Sequence, residues 1–297
     1  MSTDCRGRED RGATRREFLQ GAAAGAAAFL GAGPFLGAAE TAPDRSPDLS
    51  LVDLHVHLDN STIDKVLEIS RERGVKFGIV EHAGTKENKY PVVLSNDAEM
   101  TRYLAMLEGK PVWKGVQTEW KDWMGCFSKQ VLARLDFILT DAMTFPDKDG
   151  QRKKLWEDGA DTGDPATFMD RYVDWYLEIL EKQPIDLLAN VSWLPGPFAV
   201  EYEKNWTAKR MEKVIGAAAK HQVAMEISSS FKLPKLSFLK VAKEAGLKFC
   251  FGSNGRHPNM GKLEYSLAMA KELGLKTSDL FTPAPDGKKA VQRRKDL

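Results

Sequence analysis

A chain of 297 residues, 42% hydrophobic and 29% charged, has the apolar material for one large core and falls in the ordinary globular class. A formal net charge of +1 gives no electrostatic case for nucleic acid or an acidic membrane surface as partner. The three cysteines, Cys5, Cys126 and Cys250, show no Cys-x-x-Cys spacing and are too few for a disulfide framework.

The first segment does not read as part of a fold. Thr14-Arg15-Arg16-Glu17-Phe18-Leu19-Gln20 precedes an Ala/Gly-rich run from Gly21 to Ala39. Paired arginines followed by a weakly hydrophobic, small-residue stretch resemble a bacterial twin-arginine export signal. That resemblance implies residues 1–39 as a cleavable signal, with the twin-arginine export machinery as a partner. The mature protein is then periplasmic or extracellular. Residues 40–49 read as a linker, and no later run is long enough for a stable membrane anchor.

From residue 50 short apolar runs alternate with amphipathic stretches. Strands are expected over 51–58, 75–80, 111–118, 137–145, 185–193, 223–227 and 247–252. Helices are expected over 63–73, 97–107, 128–135, 165–181, 208–221, 236–245 and 263–273. Gly74, Gly109, Gly246 and Gly274 supply stops, and Asp164-Pro165 supplies a start. Seven strand–helix repeats predict a parallel sheet with crossover helices over 50–285, followed by a basic tail at 286–297. Closure into a barrel is preferred to an open sheet, because polar residues recur at the C-terminal end of almost every strand and a barrel brings those ends to one mouth. The loops after the strands carry Trp120, Trp123, Trp156, Trp193 and Trp206 toward that mouth.

The chemistry centres on Asp53-Leu54-His55-Val56-His57. Alternation along a strand puts His55 and His57 on one face, with Asp53 one step deeper. The remaining polar strand ends are Glu81-His82, then Gln117 and Glu119, Asp141, Asn190, Glu226, and Asn254 with His257. Imidazoles, carboxylates and carboxamides converging on one cavity form a ligand set for zinc, manganese or iron. His55, His57, His82, Glu119, Asp141, Asn190, Asn254 and His257 are the candidate ligands. Asp53, Glu81 and Gln117 are candidates to support them, Asp53 by holding a histidine tautomer. Arg256 is placed to stabilise developing negative charge and Glu226 to act as an additional acid or base. His221, at a helix end, is expected at the surface.

The series Asp53-Leu-His55-Val-His57, Ile79-Val-Glu81-His82, Gly115-Val-Gln117-Thr-Glu119 and Gly252-Ser253-Asn254-Gly-Arg-His257 is similar to the polymerase and histidinol phosphatase (PHP) superfamily. The resemblance implies a distorted (β/α)7 TIM-like barrel, up to three metal ions and phosphoester hydrolysis. The chain departs from the family pattern where Gln117 replaces a Glu, Asn190 a His and Asn254 an Asp. Each change weakens a ligand or removes a charge, so one or two divalent ions are expected rather than three. The expected function is an exported metal-dependent phosphoesterase that activates water on the ion, acting on a small anionic substrate. An amidohydrolase-type enzyme and a catalytically inactive binding protein are the alternatives.

Overall fold

Local chemistry sets the element ends. The Thr62 side chain caps the first helix by accepting from Lys65 N, and Gly74 ends it at φ 62° with its N–H on Arg71 O and Ser70 O. Asp164 caps the longest helix through Thr167 N, with Pro165 at its first position. The computed structural model describes residues 49–59, 61–157 and 162–294, so the expected export signal and nearly all of the linker lie outside it.

In chain order the first half comprises β1 (Val52–Val56), α1 (Ile63–Arg73), β2 (Lys76–Ala83), β3 (Val93–Leu94), α2 (Asp97–Leu107), β4 (Trp113–Thr118), α3 (Lys129–Leu132), β5 (Phe137–Thr140), β6 (Thr144–Pro146) and β7 (Arg152–Lys154). The second comprises α4 (Pro165–Lys182), β8 (Leu187–Leu188), α5 (Gly196–Ala199), α6 (Tyr202–Asn205), α7 (Ala208–His221), β9 (Ala224–Ser228), α8 (Leu236–Glu244), β10 (Phe249–Gly252), α9 (Glu264–Leu273) and α10 (Ala290–Arg293).

The main sheet runs β1-β10-β9-β8-β5-β4-β2, and β1 also pairs with β2, closing a seven-stranded parallel barrel inside a ring of helices. This is the TIM-like closure expected from the strand ends. β3 pairs with the last residues of β2, at His82 and Ala83, beyond the point where β1 has ended. Most of the apolar core lies between strands and helices. A smaller cluster of Leu54, Val80, Phe137, Leu139, Leu187, Ala189, Ala224 and Cys250 fills the barrel itself. Phe137 is its plug. A Cβ on Gly115 would lie 2.4 Å from the Phe137 ring and one on Gly78 2.9 Å from it, so two strands give up side chains to admit one ring.

Three details differ from the sequence reading. The apolar run 137–145 is two strands: β5 belongs to the barrel, whereas β6 turns away and pairs antiparallel with β7. The tryptophans assigned to the mouth are mostly core. Trp123 and Trp206 are fully buried, donating to Gln183 Oε1 and Ser192 O, because an indole with one N–H partner packs as a large apolar group. The described part of the basic tail, 286–294, is anchored. Ala290 and Val291 are buried, and Lys289 Nζ donates to Ala133 O beneath the barrel.

Candidate metal centre

A β-bulge in β1 determines what faces the cavity. Leu54 packs inside the barrel, yet the next residue, His55, also points inward, to Glu226 and Gln117. The register with β2 shifts between Asp53 and Val56 at this point. One extra residue reverses the alternation, so His55 and His57 keep the inner face and Asp53 loses it. Asp53 accordingly supports no histidine ring. Its Oδ1 accepts from His55 N (3.1 Å) and Ser253 N (3.0 Å), and its Oδ2 from Ser253 Oγ (2.5 Å) and Gly261 N (2.9 Å). It ties β1 to the end of β10.

The inward polar groups form two layers. In the lower one, His55 Nδ1 is 2.8 Å from Glu226 Oε1 and its Nε2 is 3.0 Å from Gln117 Oε1. Gln117 Nε2 donates to Asp141 Oδ2 (3.2 Å), as does Asn190 Nδ2 (3.1 Å). Asn190 N donates to Glu226 Oε2 (2.7 Å), which closes a five-residue ring. All five members are buried. Burial opposes a charge on His55, but the Glu226 carboxylate and the two ring hydrogen bonds prevail, and its pKa lies above the ordinary histidine value. Both ring nitrogens of His55 are thus engaged by neighbouring side chains. Asn190 adopts φ 48°, a left-handed backbone that asparagine tolerates better than most residues.

The upper layer is different in kind. His57, Asp59 and His82 each offer one ligand atom, all within 4.8 Å of one another; this is the group of three metal-ligand side chains found among the described residues. The rings of His57 and His82 stack with centroids 4.7 Å apart. His82 Nδ1 lies 3.3 Å from Glu119 Oε1, and its Nε2 has no protein hydrogen-bond partner. Burial holds the His82 pKa below the ordinary value, so the neutral, ligating form prevails. Asp59 Oδ2 accepts from Arg256 Nε (2.5 Å), while Asp59 Oδ1 is buried without a protein donor.

Glu81 points away from the barrel interior. Its Oε1 accepts from Leu58 N (2.8 Å) and Asp59 N (3.3 Å), fixing the backbone that presents Asp59. Burial and the nearby Asp59 charge push its pKa up to about 7. Tyr90 covers the site, stacking on His82 at 3.6 Å and donating its hydroxyl to Glu119 Oε2.

Of the expected ligands, the structure thus brings His57 and His82 together and adds Asp59, which the spacing argument passed over. Asp59 follows His57 by two, the interval that flagged His55 and His57, and that periodicity was its available signal. His55, Asp141 and Asn190 belong to the ring below. Glu119 holds His82 and Tyr90. Asn254 Oδ1 accepts from Arg256 Nη1 (3.0 Å) and the partly exposed His257 precedes a cis proline; neither is in the three-residue group. Glu226 spends both carboxylate oxygens on the ring. His221 sits at the helix end and pairs with Glu181 (2.9 Å).

No protein-family model matches the chain, and no curated protein matches its sequence. Among the described residues no helix is long and apolar enough to cross a membrane.

Proposed function

We propose that this chain is a metal-dependent hydrolase that holds one divalent ion between His57, Asp59 and His82 and acts on an anionic ester, of which a phosphoester is the leading case. One observation carries the reading: three ligand-bearing side chains converge within 4.8 Å at the C-terminal mouth of a barrel, and two of them present buried atoms, His82 Nε2 and Asp59 Oδ1, with no protein partner. Two imidazoles and a carboxylate fit zinc, manganese or iron and leave coordination positions for water and substrate. Such an ion supplies Lewis acidity, polarising the ester and bringing the pKa of a water to about 7.

The remaining work falls to side chains. Arg256 clamps Asp59 Oδ2, leaving Oδ1 for the ion, and its partly exposed guanidinium lies beside any negative charge that develops there. Glu119 orients His82. The lower ring forms a rigid polar floor that takes no ion, which accounts for a single metal where the family resemblance implies up to three. That same ring is what a non-catalytic binding protein of this type would carry, so metal content is the deciding measurement. Purified full-length protein should take up close to one equivalent of zinc, manganese or iron by mass spectrometry and hydrolyse a generic phosphoester such as p-nitrophenyl phosphate. Failure to take up any metal would overturn the proposal. The twin-arginine-like N-terminus supports work outside the cytoplasm. Replacing Arg15 and Arg16 by Lys should then retain the protein inside the cell on fractionation.

A further inference from the structure

We infer that the β6–β7 hairpin and the loop after β2 form a second binding subsite, built around Arg152 and Asn88, for an oxyanion carrying a hydroxyl; its place beside the substrate rests on the metal-site reading above. Arg152 has a largely buried side chain and pairs through Nη1 with Asp122 Oδ2 at 3.5 Å. Its other edge, Nε with Nη2, is buried and meets no protein acceptor. Those two atoms form the side-on fork of a guanidinium, whose parallel N–H groups match two oxygens of a phosphate or carboxylate. Asn88, 4% exposed, leaves both Oδ1 and Nδ2 without a protein partner, and Asp122 Oδ1 is likewise unmatched. Leaving so many buried polar atoms unpaired costs stability unless a ligand matches them.

Asp122 links these groups, pairing with Arg152 through Oδ2 and lying with Asn88 against Gly84. A Cβ on Gly84 would fall 2.7 Å from Asn88 Nδ2 and 3.0 Å from Asp122 Oδ1, and Gly84 has φ 145°, a conformation closed to other residues. The glycine lets both side chains close on the backbone there. Thr85 Oγ1 donates to Asp122 Oδ2 (2.5 Å) and holds the carboxylate so that Oδ1 faces Gly84. Two links lead from these groups to the metal centre. Gly84 follows His82 by two residues, and Lys154, two residues from Arg152 on β7, lies 5.3 Å from the centroid of the Tyr90 ring that stacks on His82. The ligand chemistry follows from the inventory. The Arg152 fork and the Asn88 amide donate to an oxyanion, while Asp122 Oδ1 and Asn88 Oδ1 accept from a hydroxyl. Hydrogen phosphate, with both P–O⁻ and P–OH, presents that combination in its smallest form.

Calorimetric titration of the full chain with inorganic phosphate tests this, first after stripping metal with a chelator and again after manganese loading. The stripped wild type should bind phosphate. Arg152→Gln should weaken that binding tenfold or more while metal uptake stays at the wild-type level. Asn88→Asp, nearly the same size but negative, should weaken it comparably and decides the matter if Arg152→Gln does not fold. His57→Ala should lose metal and keep its phosphate affinity in the stripped state. Phosphate binding by folded Arg152→Gln equal to wild type, or no binding by the stripped wild type, overturns the subsite. Phosphate binding that depends on Arg152 in a protein that never takes up metal would leave the subsite standing and remove the metal reading.

Discussion

His55 has an acceptor at each ring nitrogen, and the consequences differ for its two partners. Glu226 provides the charge that keeps His55 protonated. Glu226→Gln therefore leaves a buried imidazole without its counter-ion and should cost about 3–5 kcal/mol in urea unfolding. Metal content should be unchanged, because Glu226 touches the ring and not the three-ligand group. Gln117 is a bridge, its carbonyl on His55 and its amide on Asp141. Gln117→Glu places a second carboxylate against Asp141, repelling it in the metal-free protein and opening the floor to a cation. That variant should melt lower than wild type without metal and bind a second equivalent when loaded, as read by calorimetry and metal analysis. Gly252 is a steric partner of the same ring. A Cβ there would sit 1.7 Å from Glu226 Oε1, so Gly252→Ala must displace the carboxylate and should destabilise by about 1–3 kcal/mol.

At the scale of elements, the alternation of apolar runs with amphipathic stretches was enough to locate all seven barrel strands, and α1, α2 and α7 begin and end where the sequence suggests. Those segments are long, periodic and capped, so local and tertiary preferences agree. What the sequence hid arises from non-local geometry. The bulge in β1 depends on pairing with β2, and nothing in Asp53-Leu54-His55 announces that Asp53 will turn outward. The β6–β7 hairpin is built from polar residues around Asp147-Lys148-Asp149-Gly150 and carries little apolar period, which hid Arg152 along with it. Gln117 and Asn190 read as impaired ligands because composition shows a missing charge but not the hydrogen bonds an amide can close. The anchoring of α10 was equally invisible. Its Ala290 N donates to Asp186 Oδ1 (3.3 Å), while Asp186 Oδ2 accepts from Ile138 N (2.9 Å) on β5. Burial pushes the Asp186 pKa up to about 6 from 3.8. A carboxyl group raised on folding binds more protons in the native state, so its contribution is present below pH ~4 and is lost as pH rises through ~6. The shift corresponds to about 3 kcal/mol. Asp186→Asn should accordingly gain about that much relative to wild type between pH 4 and pH 7, measured by chemical denaturation across the range.

For the whole molecule, the candidate ligands lie at the closing seam of the barrel. His57 follows β1, Asp59 lies two residues beyond, and His82 is on β2, the strands whose pairing completes the cylinder. β1 leaves β2 after Val56, and the upper edge of β2 passes to β3, so the backbone does not hold the mouth at this point. An ion bridging the two sides would close the seam where the ladder has ended. Binding to the folded state alone stabilises it by about 2.7 kcal/mol when the free ion stands at 100 times its dissociation constant. For a domain of this size that is a rise of roughly 5–10 °C in melting temperature. Manganese or zinc should therefore raise the melting temperature of the wild type by this order in a concentration-dependent way. His57→Ala and His82→Ala should melt at the same temperature with and without metal. Glu226→Gln, destabilised for a different reason, should retain the full metal-dependent increment. If the ion stabilises His57→Ala as much as wild type, it binds elsewhere on the chain and the seam carries no metal centre.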